Sequence, residues 1–192
     1  RQTFGTFVDA QVAEQALSGR LKKEGERREV TVLFADIRGF TPLSARLSPQ
    51  DTVALLNAWL GAMVAEIEAE RGVVNKFMGD AIFAVFGAPG DVPDHADRAL
   101  RAAAAMIRAT ERLAVPLRAR FGQAIRVGIG LNSGTVSTGL VGAVNRMEYG
   151  VYGEAVNIAS RVEALTRTLE ADVLLTDATA RRLSQTFHLV HQ

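Results

Sequence analysis

Two apolar, β-prone runs in this chain each meet an aspartate beside glycine-containing backbone. Val30 to Phe34 leads into Phe34-Ala35-Asp36-Ile37-Arg38-Gly39-Phe40-Thr41, and Ala81 to Phe86 follows Lys76-Phe77-Met78-Gly79-Asp80. Short runs rich in Val, Ile and Phe read as strands, and Gly79-Asp80 reads as the turn of a hairpin. Each run therefore sets one carboxylate at a strand end. Brought together by adjacent strands, two such carboxylates can hold Mg²⁺ against a polyphosphate, because hard divalent ions prefer oxygen ligands. Lys76 leaves the same strand–turn region as a proton acceptor or a phosphate contact. A lone aspartate at a strand end is usually a turn or cap residue; the pair in this setting favours metal binding. The outline is that of a nucleotide site.

The rest of the chain bounds the fold. With 192 residues, of which 48% are hydrophobic, one domain with a sizeable core is expected. The formal net charge of +1 gives no reason to expect a nucleic-acid or anionic-membrane partner. No run is read as spanning a bilayer, no signal peptide is visible, and without cysteine there is no disulfide framework or thiolate site. A cytoplasmic domain is expected. Because the chain opens at Arg1 rather than Met, it is expected to be part of a longer protein.

Residues 1–27 read as a helix and charged linker from an upstream region, and 28–192 as the domain proper. A strand is expected over 28–35. Ser48-Pro49 cap a helix to about Arg71, with Val53, Leu56, Leu60, Met63 and Ile67 as its stripe and Gly72 as its stop. Strands over 73–77 and 81–86 follow, then a helix carrying Ala96, Leu100, Ala103, Met106 and Ile107. Residues 125–132 and 135–141 read as two strands paired with one another, and 149–152 as a short strand. A helix over 155–165 carries Val156, Ala159 and Val162 on one face; a strand at 173–175 and a helix at 177–183 complete the chain. The order β-α-β-β-α-β, with elements appended, is that of the ferredoxin-like α+β sandwich. The three histidines, His95, His188 and His191, lack metal-ligand spacing. Trp59 and Phe83 fit core or interface positions.

The two aspartate motifs, joined by Gly153-Glu154-Ala155-Val156-Asn157-Ile158-Ala159-Ser160-Arg161, resemble the class III nucleotidyl cyclase catalytic domain of the bacterial adenylate cyclase type. The resemblance runs from about Arg28 to about Leu183. It implies the nucleotidyl cyclase fold and conversion of ATP to 3′,5′-cyclic AMP and pyrophosphate, with GTP as a second candidate substrate. It also implies two divalent ions, Mg²⁺ or Mn²⁺, held by Asp36, Asp80 and the carbonyl of Ile37. Backbone N–H groups of Gly39, Phe40 and Thr41 would cradle phosphates. Asn157 would orient the ribose and Arg161 would stabilise charge on the α-phosphate. Lys76 and Gly150 occupy the purine-reading positions.

The resemblance further implies a homodimer with shared active sites. Asp36 and Asp80 would come from one chain; Lys76, Gly150, Asn157 and Arg161 would come from the other. An upstream sensor or regulatory domain is expected in the full-length protein, which can also be membrane-tethered. Three departures stand out. Gly150 supplies no side-chain acceptor where many adenylate-forming relatives carry Asp, Thr or Ser. Thr135 follows Gly134 where mammalian relatives carry a phosphate-binding Arg. The phosphate-binding Lys of the family's final hairpin has no counterpart before Gln192, so a trimmed C-terminus is expected. The rival readings are a guanylate-forming or mixed-specificity cyclase, and a degenerate nucleotide-binding regulatory module.

Overall fold

A computed structural model of the chain describes residues 25–122, 124–143 and 146–187, together with the isolated positions Val12, Glu14 and Ser18. The expected N-terminal helix and linker lie largely outside the described residues, as do His188 and His191.

The strand β1, Glu26–Ile37, is the centre of the sheet. It pairs antiparallel with β3 (Ala81–Phe86) on one side and with β4 (Val127–Ala143) on the other. With β2 (Val73–Met78) beside β3, the order β2-β3-β1-β4 is that of the ferredoxin-like sandwich. The strand β5 (Arg146–Tyr152) pairs with the far half of β4, and β6 (Val173–Leu175) runs parallel to its near half. The helices are α1 (Phe40–Ser44), α2 (Pro49–Ala69), α3 (His95–Phe121), α4 (Glu154–Thr168) and α5 (Asp177–Ala180).

Alternation along β1 feeds two cores. Leu33, Ala35 and Ile37 join Trp59 and Met63 of α2 and Met106 of α3 on one face. Val30, Val32 and Phe34 join Phe83, Val85, Tyr149, Val151 and Ala159 on the other. Phe34 and Phe83 stack with ring centroids 4.9 Å apart. The sheet curls until its edges meet, where Asn75 Nδ2 donates to the Tyr149 carbonyl at 2.8 Å.

Four local expectations are corrected. The runs 125–132 and 135–141 belong to one unbroken strand, not to a pair. Val30 lies opposite Gly134 and Thr31 opposite Ser133, so β1 carries β4 straight through Asn132-Ser133-Gly134. Gly134 serves close packing there: a Cβ on it would lie 3.1 Å from the Ala155 Cβ. The buried stripe of α2 is Leu55, Trp59, Met63 and Ile67, whereas Val53 is 56% exposed. Beyond α2 the left-handed residue is Arg71, at φ 61°, and Gly72 is small because a Cβ would lie 2.6 Å from the Phe86 ring. On α4 the expected face holds: Ala159 is buried beside Ala155, and Val156 and Val162 are partly buried. Finally, α2 is long and apolar enough to cross a membrane by length and composition alone. Its four buried side chains pack into the core of this domain.

Helix α4 lies close on β4 because β4 offers it glycines. A Cβ at Gly130 would sit 2.2 Å from the Glu163 backbone nitrogen, and one at Gly128 would sit 2.3 Å from Thr166 Oγ1. Backbone cannot step aside as a side-chain tip can, so Gly130→Ala should destabilise the domain by about 1–3 kcal/mol or more. A urea midpoint within error of wild type would show that α4 is not seated this closely.

Candidate active site

The site begins with register. Asp36 lies opposite Ala81, so Asp80, in the β2–β3 turn, is brought against Asp36. Gly79 takes φ 66° in that turn, a left-handed conformation that glycine adopts without steric cost. Burial, and then the Asp36 carboxylate beside it, push Asp80 up to about 7. Two like charges in a half-buried place resist ionising together.

An unsatisfied carboxylate oxygen points to a cation. Asp36 Oδ2 accepts from Arg167 Nη2 at 2.6 Å. Its other oxygen, Oδ1, is buried with no hydrogen-bond partner. A buried acceptor left without a partner costs about 1–3 kcal/mol, and more when charged. The donor set therefore fits a divalent ion. Among the described residues no three acidic or histidine side chains converge as a closed cage. Two carboxylates with open positions suit Mg²⁺-type ions, which complete their shell with water and phosphate oxygens. The side chain of Ile37 carries no ligating atom, so only its backbone carbonyl can contribute.

Neighbouring groups frame the pair. Glu163 on α4 is held above the ordinary carboxyl range by burial and then by Asp36. Arg38 donates to the carbonyls of Thr166, at 3.3 Å, and Ala171, tying the end of β1 to the connection after α4. Gly39 turns the chain into α1 with φ 71°. The Leu43 N–H bonds the Gly39 carbonyl at 3.2 Å, leaving the amides of Phe40 and Thr41 at the unpaired first turn.

The curl of the sheet brings the purine-reading candidates to one edge. Lys76 on β2 reaches Glu148 on β5, with Nζ 3.4 Å from Oε1. Gly150 sits two residues beyond Glu148, opposite Gly139 of β4. Asn157 and Arg161 are exposed on α4 and make no hydrogen bond or ion pair among the described residues. The α4 residue that reaches Asp36 is Arg167. Sequence reasoning did not single out Arg167, Glu163, Glu148 or Tyr152. For Glu163 the available signal was the Gly128-x-Gly130 alternation, which marks where a helix crosses β4. His95 proves to be a core residue: Thr31 Oγ1 lies 2.7 Å from its Nδ1, and burial lowers its pKa.

A ferredoxin-like sheet that brings Asp80 of the β2–β3 turn against Asp36 near the end of its central strand, with arginines on α4 and a lysine-bearing edge nearby, is the architecture of a nucleotidyl cyclase catalytic domain. The chain belongs to the adenylate and guanylate cyclase catalytic domain family, whose profile matches residues 23–192. It is 35% identical over 177 residues to an adenylate cyclase of Anabaena cylindrica, covering 90% of this chain and 34% of that protein. It is 40% identical to an uncharacterised protein of Mycobacterium tuberculosis, over 91% of this chain and 31% of that one. The chain thus spans about a third of the length of these relatives.

Two solved structures, one of each base specificity, are similar to it. The guanylyl cyclase Cya2 superposes with TM-score 0.79 at 33% identity, covering 85% of this chain and 82% of that one. The adenylyl cyclase CyaB of P. aeruginosa gives 0.78 at 33%, over 83% and 82%.

The raised Asp80 carboxyl has a measurable sign. A carboxyl raised by folding favours the folded state while protonated, and that contribution is lost progressively between its unfolded and folded pKa. Without divalent ions, Asp80→Asn should therefore gain in melting temperature over wild type as pH rises from 5 toward 7, with the difference levelling off above about pH 7. Mn²⁺ should stabilise wild type more at pH 8 than at pH 6. A difference between the two proteins that stays flat with pH would refute the raised Asp80 carboxyl.

Proposed function

We propose that this chain is the catalytic domain of an adenylate cyclase, forming 3′,5′-cyclic AMP and pyrophosphate from ATP in a homodimer with shared sites. The observation that carries the reading is the Asp36–Asp80 pair, with one buried carboxylate oxygen that no protein donor satisfies. When bound, two divalent ions would supply Lewis-acid activation of the ribose 3′-hydroxyl and neutralise polyphosphate charge. Asp36, Asp80 and the Ile37 carbonyl would hold them.

The remaining residues bind and orient. The amides of Gly39, Phe40 and Thr41 face phosphate oxygens. Asn157 of the second chain holds the ribose so that its 3′-oxygen lies in line with the α-phosphorus. That oxygen bonds to phosphorus as the bond from the α-phosphorus to the bridging oxygen breaks; pyrophosphate leaves with that oxygen, and the hydroxyl proton passes to solvent water. Arg161 of the second chain faces the charge growing on the α-phosphate; its planar fork matches phosphate oxygens and stays protonated. Within one chain Asn157 and Arg161 are exposed and unengaged, which supports assigning them to the neighbour's acids. Phe77, Met78, Val141 and Met147 are exposed by 43–52% on β2 and the β4–β5 arm, apolar surface that a second copy would cover. The chain's share of its relatives' length suits one module driven by an upstream sensor region.

Sharing is testable by mixing variants. Asp36→Ala and Arg161→Ala should each be nearly inactive, the latter by about 10²–10³ in rate. Mixed, they should regain activity, because a heterodimer rebuilds one intact site and gathers both lesions in the other. No recovery despite demonstrated subunit exchange would refute a composite site.

Base choice rests on Lys76. Its ammonium can donate to adenine N1 but would face the N1–H of guanine, a difference worth about 1.5–3 kcal/mol, or roughly 10- to 150-fold. ATP should be preferred, and Lys76→Glu should move kcat/KM toward GTP, since a carboxylate accepts from guanine N1–H. An unchanged ratio in Lys76→Glu, or a wild-type preference for GTP, would overturn this assignment and favour a guanylate-forming enzyme.

A further inference from the structure

The edge that carries Lys76 has a second feature, written into the backbone of β5. Successive strand residues point to opposite faces. Tyr149 and Val151 enter the core, 9% and 5% exposed. Glu148, Gly150 and Tyr152 therefore share the other face, with Glu148 beside the Lys76 ammonium. Gly150 is a buried position, and what covers it is Tyr152. A Cβ built on Gly150 would lie 2.2 Å from Tyr152 Cε2 and 2.7 Å from both Cζ and the phenolic oxygen. The tyrosine ring thus lies back along the strand, in the space that a side chain at position 150 would fill. Tyr152 is still 47% exposed, and its hydroxyl makes no hydrogen bond among the described residues.

We propose that Tyr152 takes the place of the absent side chain at Gly150 and presents its hydroxyl to the six-position of the purine. This rests on the cyclase reading, in which Lys76 and position 150 face the base, and adds what that reading lacks. The chemistry follows from the group itself. A phenol is donor and acceptor at once, and its proton rotates to suit its partner. It can accept from the 6-amino group of adenine and donate to the 6-oxo group of guanine. A carboxylate at position 150 could only accept and would turn guanine away. Tyr152 therefore strengthens binding of both purines and leaves the choice between them to Lys76. Glycine at position 150 is a requirement of this arrangement, since any Cβ there would drive the ring out.

The experiment measures equilibrium binding of non-hydrolysable ATP and GTP analogues in the presence of Mn²⁺, alongside kcat/KM for ATP and GTP. Tyr152→Phe keeps the ring over Gly150 and removes only the hydroxyl. Both dissociation constants should rise about three- to tenfold, with their ratio altered by less than about twofold and the melting temperature unchanged. Gly150→Ser alone should weaken both analogues further. Gly150→Ser with Tyr152→Ala should bind better than Tyr152→Ala alone, because the serine hydroxyl then occupies the vacated space. Unchanged binding in Tyr152→Phe, a loss confined to one purine, or no recovery in the double variant would each overturn the proposal. The underlying reading fails separately: wild type that releases pyrophosphate from neither nucleotide would refute the cyclase assignment, while the binding ratios would still judge Tyr152.

Discussion

The pairing of β1 with β4 runs in register from Glu26 opposite Thr138 to Ile37 opposite Val127, and the rest of the domain is organised around it. Because β3 occupies the other edge, every backbone polar group along the core of β1 is spoken for, and both faces can be apolar. A strand buried on both faces cannot slip by one residue without inverting its whole set of side chains. That rigidity decides where Asp36 stands. The acid leaves the strand one residue before its end, where the hairpin after β2 brings Asp80 against it.

Function draws on this stability rather than adding to it. The acidic pair is half-buried, and one Asp36 oxygen lacks a donor. Unloaded, the site answers with a partly protonated Asp80, a raised Glu163 and the Arg167 ion pair. None of these is needed to fold a ferredoxin-like sheet. They are concentrated at one end of β1, while apolar packing along its length supplies the stability they diminish. Such a division is expected wherever a scaffold must hold charge ready for a ligand.

The parts legible in the sequence are those where local signals and long-range packing agree. Asp36 and Asp80 could be placed because strand propensity, a Gly-containing turn and antiparallel pairing all put them at strand ends. Ser48 could be read as a cap, and its side chain does accept from the Asp51 amide. Two of the misreadings share a cause: glycine has two uses, and sequence displays only one. Gly134 looked like a turn but is a gap for Ala155, and Gly72 looked like a stop but makes room for Phe86. The stripe of α2 was displaced by one position because Val53 and Leu56 fit helical spacing as well as Leu55 and Trp59. Only the neighbouring elements distinguish those faces. Arg167 was hidden for a related reason, since its partner lies 131 residues away along the chain.

The Arg167–Asp36 contact changes how ion entry must be counted. The guanidinium already sits on one carboxylate oxygen at 2.6 Å, on a side chain 60% exposed. A divalent ion using that oxygen would therefore exchange with a tethered monovalent one rather than fill an empty seat. The resting domain stays close to local neutrality, and occupancy shifts the charge at Asp36 by the difference between the two cations rather than by the whole ion. The displaced guanidinium remains attached within a side chain's reach, a positive group released where polyphosphate charge would arrive.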